Sequence, residues 1–333
     1  MNTRREMLKS FAAMTAAMML PRAALGEEPE APTRDRLGEL MPQRRFGKTG
    51  KYVSMLCLGG AHVGGYTVKD EAESERIIEE CIAAGMRFFE TAEIYGAGES
   101  ERRFGKYLTP QYRDVIFLAT KTTAEDAKTA WEHLDGSLKR MNTDYLDLWQ
   151  IHQIADAADV DKRLDGGVLD VMLEAREQGK VKHIGFTGHR EVAAHLRMLE
   201  RAPELETCLM PVNVLDPSYK SFTENVLPIL LERDMGLQAI KSVGAGRFFQ
   251  AVAGPGDGPA TRLIPERLTL AEAMNFVWSL PVSSRITGVD NLEQIREHLA
   301  LVHDFTQLDE AARMAIVERV ADLAGGEREQ YKA

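Results

Sequence analysis

Eight short apolar runs, rich in β-branched and aromatic residues, alternate with helical patterns through about 260 residues, and this alternation predicts an α/β fold, a (β/α)8 TIM barrel. Two further observations point the same way. No Gly-x-Gly-x-x-Gly opens a helix after a strand, which weighs against an open doubly wound sheet. Polar residues also close three successive runs: Tyr95 follows Phe88-Phe89-Glu90-Thr91, Lys121 follows the run 115–120, and His152 follows the run 146–151. Each lies about thirty residues from the next, one strand-plus-helix unit, and in a parallel barrel the C-terminal strand ends face one shared pocket.

The elements follow in order. Residues 1–26 read as a twin-arginine-type signal peptide, with Arg4-Arg5 ahead of a weakly apolar stretch, then Pro21 and a small-residue run. That stretch is shorter than the about 20 apolar residues a membrane-spanning helix needs. The expectation is export through the twin-arginine machinery to the periplasm, with no stable membrane span after processing. Residues 27–43, rich in Glu, Pro and Arg without periodicity, read as a disordered spacer. The barrel unit spans 44–324 and opens with a hairpin over 44–53, folded around Lys48-Thr49-Gly50. Strands are predicted at 54–58, 86–89, 115–120, 146–151, 181–186, 208–212, 236–241 and 284–287. Helical patterns fill the gaps at 71–84, 124–139, 168–178 and 268–280, and an extra C-terminal helix at 308–324 packs outside the barrel. After the seventh strand a long segment rich in Gly and Pro, 242–267, is expected to cover part of the pocket.

Composition narrows the function. The chain has 333 residues, 44% hydrophobic and 28% charged, which suits one soluble barrel-sized domain. Its net charge of −10 is spread rather than blocked, so neither nucleic acid nor an anionic membrane surface is an expected partner. Cys57, Cys81 and Cys208 show no paired spacing and read as buried free thiols rather than metal ligands.

The strand-end residues fit carbonyl chemistry. A carbonyl that receives hydride develops alkoxide character and needs a proton, and a tyrosine at its reference pKa of about 10 donates poorly unless tuned. A neighbouring lysine ammonium lowers the phenol's pKa and polarises it, and a carboxylate, Glu90, holds the lysine charged. His152 can donate a hydrogen bond to the carbonyl oxygen. The candidate catalytic residues are therefore Tyr95, Lys121, His152 and Glu90, with a small-molecule carbonyl or alcohol as substrate.

Phe-Phe-x-Thr-Ala-x-x-Tyr-Gly over 88–96, Thr120-Lys121 and Asp147-Leu148-Trp149-Gln150-Ile151-His152 resemble the aldo-keto reductase superfamily. So do Gly47-Lys48-Thr49-Gly50, Gly59-Gly60, His183 through His189, and Gly288 through Gln294, all in order over residues 44–305. The resemblance implies an NAD(P)-dependent oxidoreductase that reduces an aldehyde or ketone to an alcohol, or runs the reverse reaction, with tyrosine as proton donor. It also implies dinucleotide contacts at Thr187, Gly188, Asn213, Lys241, Ser242, Gly244, Gly246, Gly288, Asp290, Gln294 and His298, and no metal.

Four departures stand out. Glu90 replaces the family's aspartate, Thr187-Gly188 replaces Ser-Asn, and Leu209 replaces a glutamine on the sixth strand. Asp290 stands where relatives place Ser, Lys or Arg near the adenosine 2′-phosphate. It would repel that phosphate, so the cofactor is NADP or NAD with a lean towards NAD, unless Arg296 reaches the site. His62 and His189 are expected to line the pocket, and Trp149 to sit in the core. Two other classes remain open at this stage. One is a metal-dependent sugar isomerase or hydrolase using His62, Glu90, His152 and His189. The other is a weakened dinucleotide-binding regulatory module, favoured by Glu90, Gly188 and Leu209.

Overall fold

The computed structural model describes residues 30–248, 262–264 and 267–332, so the expected signal peptide lies outside the described residues. Eight parallel strands close a barrel in chain order: β1 (Leu56–Gly59), β2 (Phe88–Glu90), β3 (Phe117–Thr122), β4 (Leu146–Ile154), β5 (Val181–Gly188), β6 (Thr207–Pro211), β7 (Gly236–Ile240) and β8 (Ser284–Thr287), with β8 pairing back onto β1. Buried on both faces, these strands read as near-continuous apolar runs, which is why they were legible. The first three ladders start slightly later than the apolar runs do. Ser54 instead pairs with Gln43 in the hairpin, and Met86 and Ile116 are buried at the strand entries.

Several helix starts carry side-chain caps. Asp70 accepts from Ala72 N ahead of Glu71–Ala83, and Asp126 from Thr129 N ahead of Ala127–Arg140. Thr269 and Glu272 form a reciprocal capping box that opens Leu270–Trp278. The extra C-terminal helix is Glu310–Val320, followed by a short turn of 3-10 helix, Ala321–Leu323. Among the described residues no helix is long and apolar enough to cross a membrane.

The hairpin forms as expected, Gln43–Arg45 against Tyr52–Ser54, and plugs the N-terminal end of the barrel. Phe46 is fully buried there, its ring 5.7 Å from Phe88 and 5.6 Å from Phe117. Gly47, at φ +54°, brings the turn so close to Gly236 that a Cβ would lie 2.3 Å from its nitrogen. Arg45 forks onto Asp234 at 2.5 and 2.6 Å and fastens the plug.

Alternate residues then build layers upward. Above the aromatic floor, Gln150 on β4 donates to Gln238 on β7 at 3.0 Å across the interior. Above that layer stand Glu90, Lys121 and His152. The three cysteines are buried and free.

One expectation is corrected. Within the supposed spacer, residues 30–43 are folded: Arg34–Asp35 pairs with Gly38–Glu39, and Asp35 receives Arg87 Nε at 2.6 Å. Met41 N donates to Gly85 O at 3.2 Å. Low apolar content predicted disorder, but order here comes from polar contacts to the barrel, which local composition does not register.

Candidate active site

The three strand-end groups meet at the C-terminal mouth of the barrel. Lys121, carried by β3, is fully enclosed and contacts the Glu90 carboxylate at the end of β2. Its Nζ also donates to Thr91 O at 2.7 Å and to Tyr95 Oη at 3.2 Å. An ammonium has three donors, and these three acceptors use them all. Glu90, one methylene longer than the family's aspartate, therefore still reaches the lysine. Because the Tyr95 oxygen accepts from Lys121, the phenol's own proton is left free to point elsewhere. The Tyr95 ring lies 5.6 Å from the His152 ring and edge-on to it.

Burial sets the protonation states. Against the lowering expected from Lys121, burial pushes Tyr95 above its ordinary value, and it pushes Lys121 well below its own, while contact with Glu90 favours the charged lysine. His152 is held well below the usual histidine range, first by burial and then by Lys121, so its imidazole is neutral and can donate.

These groups line a cavity of about 800 Å³ that runs from Tyr95 to the loop and helix after β8. Of the expected dinucleotide contacts, Thr187, Lys241, Ser242, Gly246, Gly288, Asp290, Gln294 and His298 line it. Gly188, Asn213 and Gly244 are not among its walls. Gly188 is wedged where a Cβ would lie 2.6 Å from His195. The Asn213 amide donates to Lys241 O and Tyr331 Oη and accepts from Leu215 N and Asp216 N, so the fold uses all of it. Gly244, at φ +59°, makes a turn against Phe248. The stretch 249–261 of the long loop lies outside the described residues. Asp290 holds His62 Nδ1 at 2.7 Å, and Arg296 turns away to Glu80 at 2.9 and 3.0 Å. Among the described residues no three His, Cys, Asp or Glu side chains converge as a ligand set, so His62, Glu90, His152 and His189 do not form the alternative metal centre.

Comparison with known proteins decides the class: the aldo/keto reductase family profile matches residues 55–318. The chain belongs to the aldo/keto reductase family. It is thus an oxidoreductase by family. The chain is 35% identical over 180 residues to the uncharacterized oxidoreductase YrpG of Bacillus subtilis, a match covering 47% of this chain and about half, 53%, of that relative. It is 27% identical over 268 residues to a 6-dehydroglucose reductase of Agrobacterium fabrum, covering 73% of this chain and 87% of that one. In fold it is similar to the holo form of aldo-keto reductase AKR11C1 from Bacillus halodurans, with a TM-score of 0.71 and 22% identity, over 88% of this chain and all of that one.

Several walls of the reductase cavity escaped the sequence reading. Gln153 follows His152 at a bulge in β4, with φ +54°. Glu297 lies three residues after Gln294 and one before His298 on Leu292–His303. Arg285 on β8 is buried, and its Nε and Nη1 have no acceptor among the described residues. A charged residue inside a predicted strand was the signal for it. Burial lowers its pKa to about 10, which leaves it charged at neutral pH.

Proposed function

We propose that this reductase reduces an aldehyde or ketone to an alcohol, or runs the reverse reaction, using a nicotinamide dinucleotide and Tyr95 as the proton donor. The observation that carries the reading is the arrangement at Tyr95. Its oxygen accepts from Lys121 at 3.2 Å, Lys121 is held by Glu90, and the neutral His152 stands beside it in one cavity.

The cavity fits a dinucleotide on its own chemistry. Its volume suits a large ligand, and near His298 the buried Arg285 guanidinium has donors without acceptors. Thr187, Lys241, Ser242, Gly246, Gly288, Gln294, His298 and Arg285 would hold it. When bound, the dinucleotide supplies or accepts the hydride. The chain's own residues do the rest. His152 orients the carbonyl oxygen and shares its developing charge, Lys121 polarises the phenol, and Tyr95 delivers its proton to that oxygen. Tyr95→Phe should lower kcat/KM for every reducible carbonyl by about 10²–10⁴-fold. Unchanged turnover, measured by dinucleotide absorbance, would remove the tetrad from the chemistry.

We further propose a preference for NAD. Support comes from the Asp290 carboxylate, which holds His62 Nδ1 at 2.7 Å, with Arg296 committed to Glu80. We also propose export by the twin-arginine route, supported by Arg4-Arg5 and the short apolar stretch after them. Replacing both arginines with lysine should keep the folded protein out of the periplasmic fraction; normal export of that variant would end the idea.

A further inference from the structure

Beyond the last long helix the chain turns back over the mouth of the barrel and ends in a 3-10 turn, Gln330–Lys332. Lys332 has no exposed surface. Its Nζ donates to Asp216 Oδ1 at 2.7 Å, to Glu329 Oε1 at 2.8 Å and to Tyr219 O at 2.6 Å. Asp216 is itself fixed in the loop after β6, accepting from Phe222 N at 3.1 Å and Thr223 N at 2.8 Å. Pulling Lys332 out would leave buried carboxylates uncompensated, so the tail has one place to lie.

The anchor puts Tyr331 among the loops after β5, β6 and β7. Its hydroxyl accepts from Asn213 Nδ2 at 2.7 Å and donates to Glu329 Oε1 at 3.0 Å. Its backbone carbonyl meets His189 Nδ1 at 3.3 Å, with the two rings edge-on. A carbonyl only accepts, so Nδ1 must carry the proton. Burial, then Lys241, hold the His189 pKa at about 4, so the ring is neutral and its Nε2 keeps a lone pair.

His189 lines the cavity and is near enough to His152 to act on its charge. The bulge in β4 places Gln153 on the same wall, its backbone nitrogen donating to Thr187 Oγ1 at 2.9 Å. Besides the carbonyl-orienting imidazole, the cavity wall thus carries an imidazole whose free nitrogen can only accept and an amide that can do both. A carbonyl substrate with an apolar chain offers nothing to either.

We propose that His189, fixed as an acceptor by the tail carbonyl of Tyr331, binds a hydroxyl of the substrate with Gln153 as its neighbour, so that the enzyme takes hydroxylated aldehydes or ketones over their deoxy counterparts. This rests on the carbonyl-reductase reading of the same cavity. A site built to bond a hydroxyl discriminates against the analogue lacking it, because its polar groups are left unpaired.

The test compares kcat/KM for glyceraldehyde and for propanal in the full chain, in His189→Phe, and in a chain lacking residues 327–333. The full chain should favour glyceraldehyde by at least about tenfold, and both variants should bring the ratio near unity. Equal rates in the full chain, or a ratio that survives His189→Phe, overturns the proposal. A ratio lost in His189→Phe but kept in the shortened chain overturns the tail's part in it. A second readout needs no turnover: nitrogen NMR of the imidazole should show His189 as the Nδ1–H tautomer, with an Nε2 signal that moves on adding glycerol and not on adding propanol. An Nε2–H tautomer, or an Nε2 signal indifferent to glycerol, overturns it. If the full chain reduces neither aldehyde, the reductase reading fails and the tautomer measurement still decides this one.

Discussion

Glu90 and Asp290 depart from the family pattern with different consequences. At position 90 the longer side chain is absorbed by geometry, because Lys121 meets Glu90, Thr91 and Tyr95 at once. At position 290 the change alters charge: the carboxylate holds His62 Nδ1 by a hydrogen bond, and Arg296 is committed to Glu80. Asp290→Arg should therefore turn the proposed NAD preference towards NADP, by about tenfold or more in relative Kd, since one favourable ionic contact is worth roughly 1.4 kcal/mol or more at a partly buried site. Equal affinities of the natural chain for both dinucleotides would show that this carboxylate does not face the ribose. Both departures were visible as single letters. Which of them matters was not, because that depends on what each side chain reaches.

Among the elements, the hairpin and the β4 bulge divide stability from function. The hairpin's Phe46 packs into the barrel floor with Phe88 and Phe117, two layers below Tyr95. Phe46→Ala should cost about 3–5 kcal/mol in urea unfolding with KM unchanged; a shifted KM would mean the floor is coupled to the pocket. The hairpin was legible because its signal is local: two β-prone arms around a Gly-containing turn. The β4 bulge was not, since a run such as Trp149-Gln150-Ile151-His152-Gln153-Ile154 gives no sign of where the ladder slips. Pairing with β5 decides that.

For the whole molecule, the buried imidazoles set a pH dependence. His152 is held well below its ordinary value, His189 and His195 at about 4 and His298 at about 3, each mainly by burial. A folded pKa below the unfolded value means that the unfolded chain binds more protons in the interval between them. Stability is therefore full above about pH 6.5 and declines as pH falls towards the folded values, by roughly 1.4 kcal/mol per pH unit per histidine. The buried carboxyls of Asp147 and Glu329, raised by burial, oppose this in part. Urea midpoints should drop between about pH 7 and about pH 5; a midpoint equal or higher at the acid end would refute the account.

By itself the sequence determined the (β/α)8 order, the plug, and a tetrad whose members close neighbouring strands. Those features follow from local periodicity and from strand ends that must share one face. Tertiary structure alone decided that residues 30–43 fold onto the barrel, that the Asn213 amide is bonded to the loops after β6 and β7 and to Tyr331, and that the C-terminal tail returns to fix His189. Lys332 lies 116 positions from the Asp216 that anchors it. A contact over that separation leaves no periodic trace in the chain, because it exists only once the barrel has brought both ends to the same mouth.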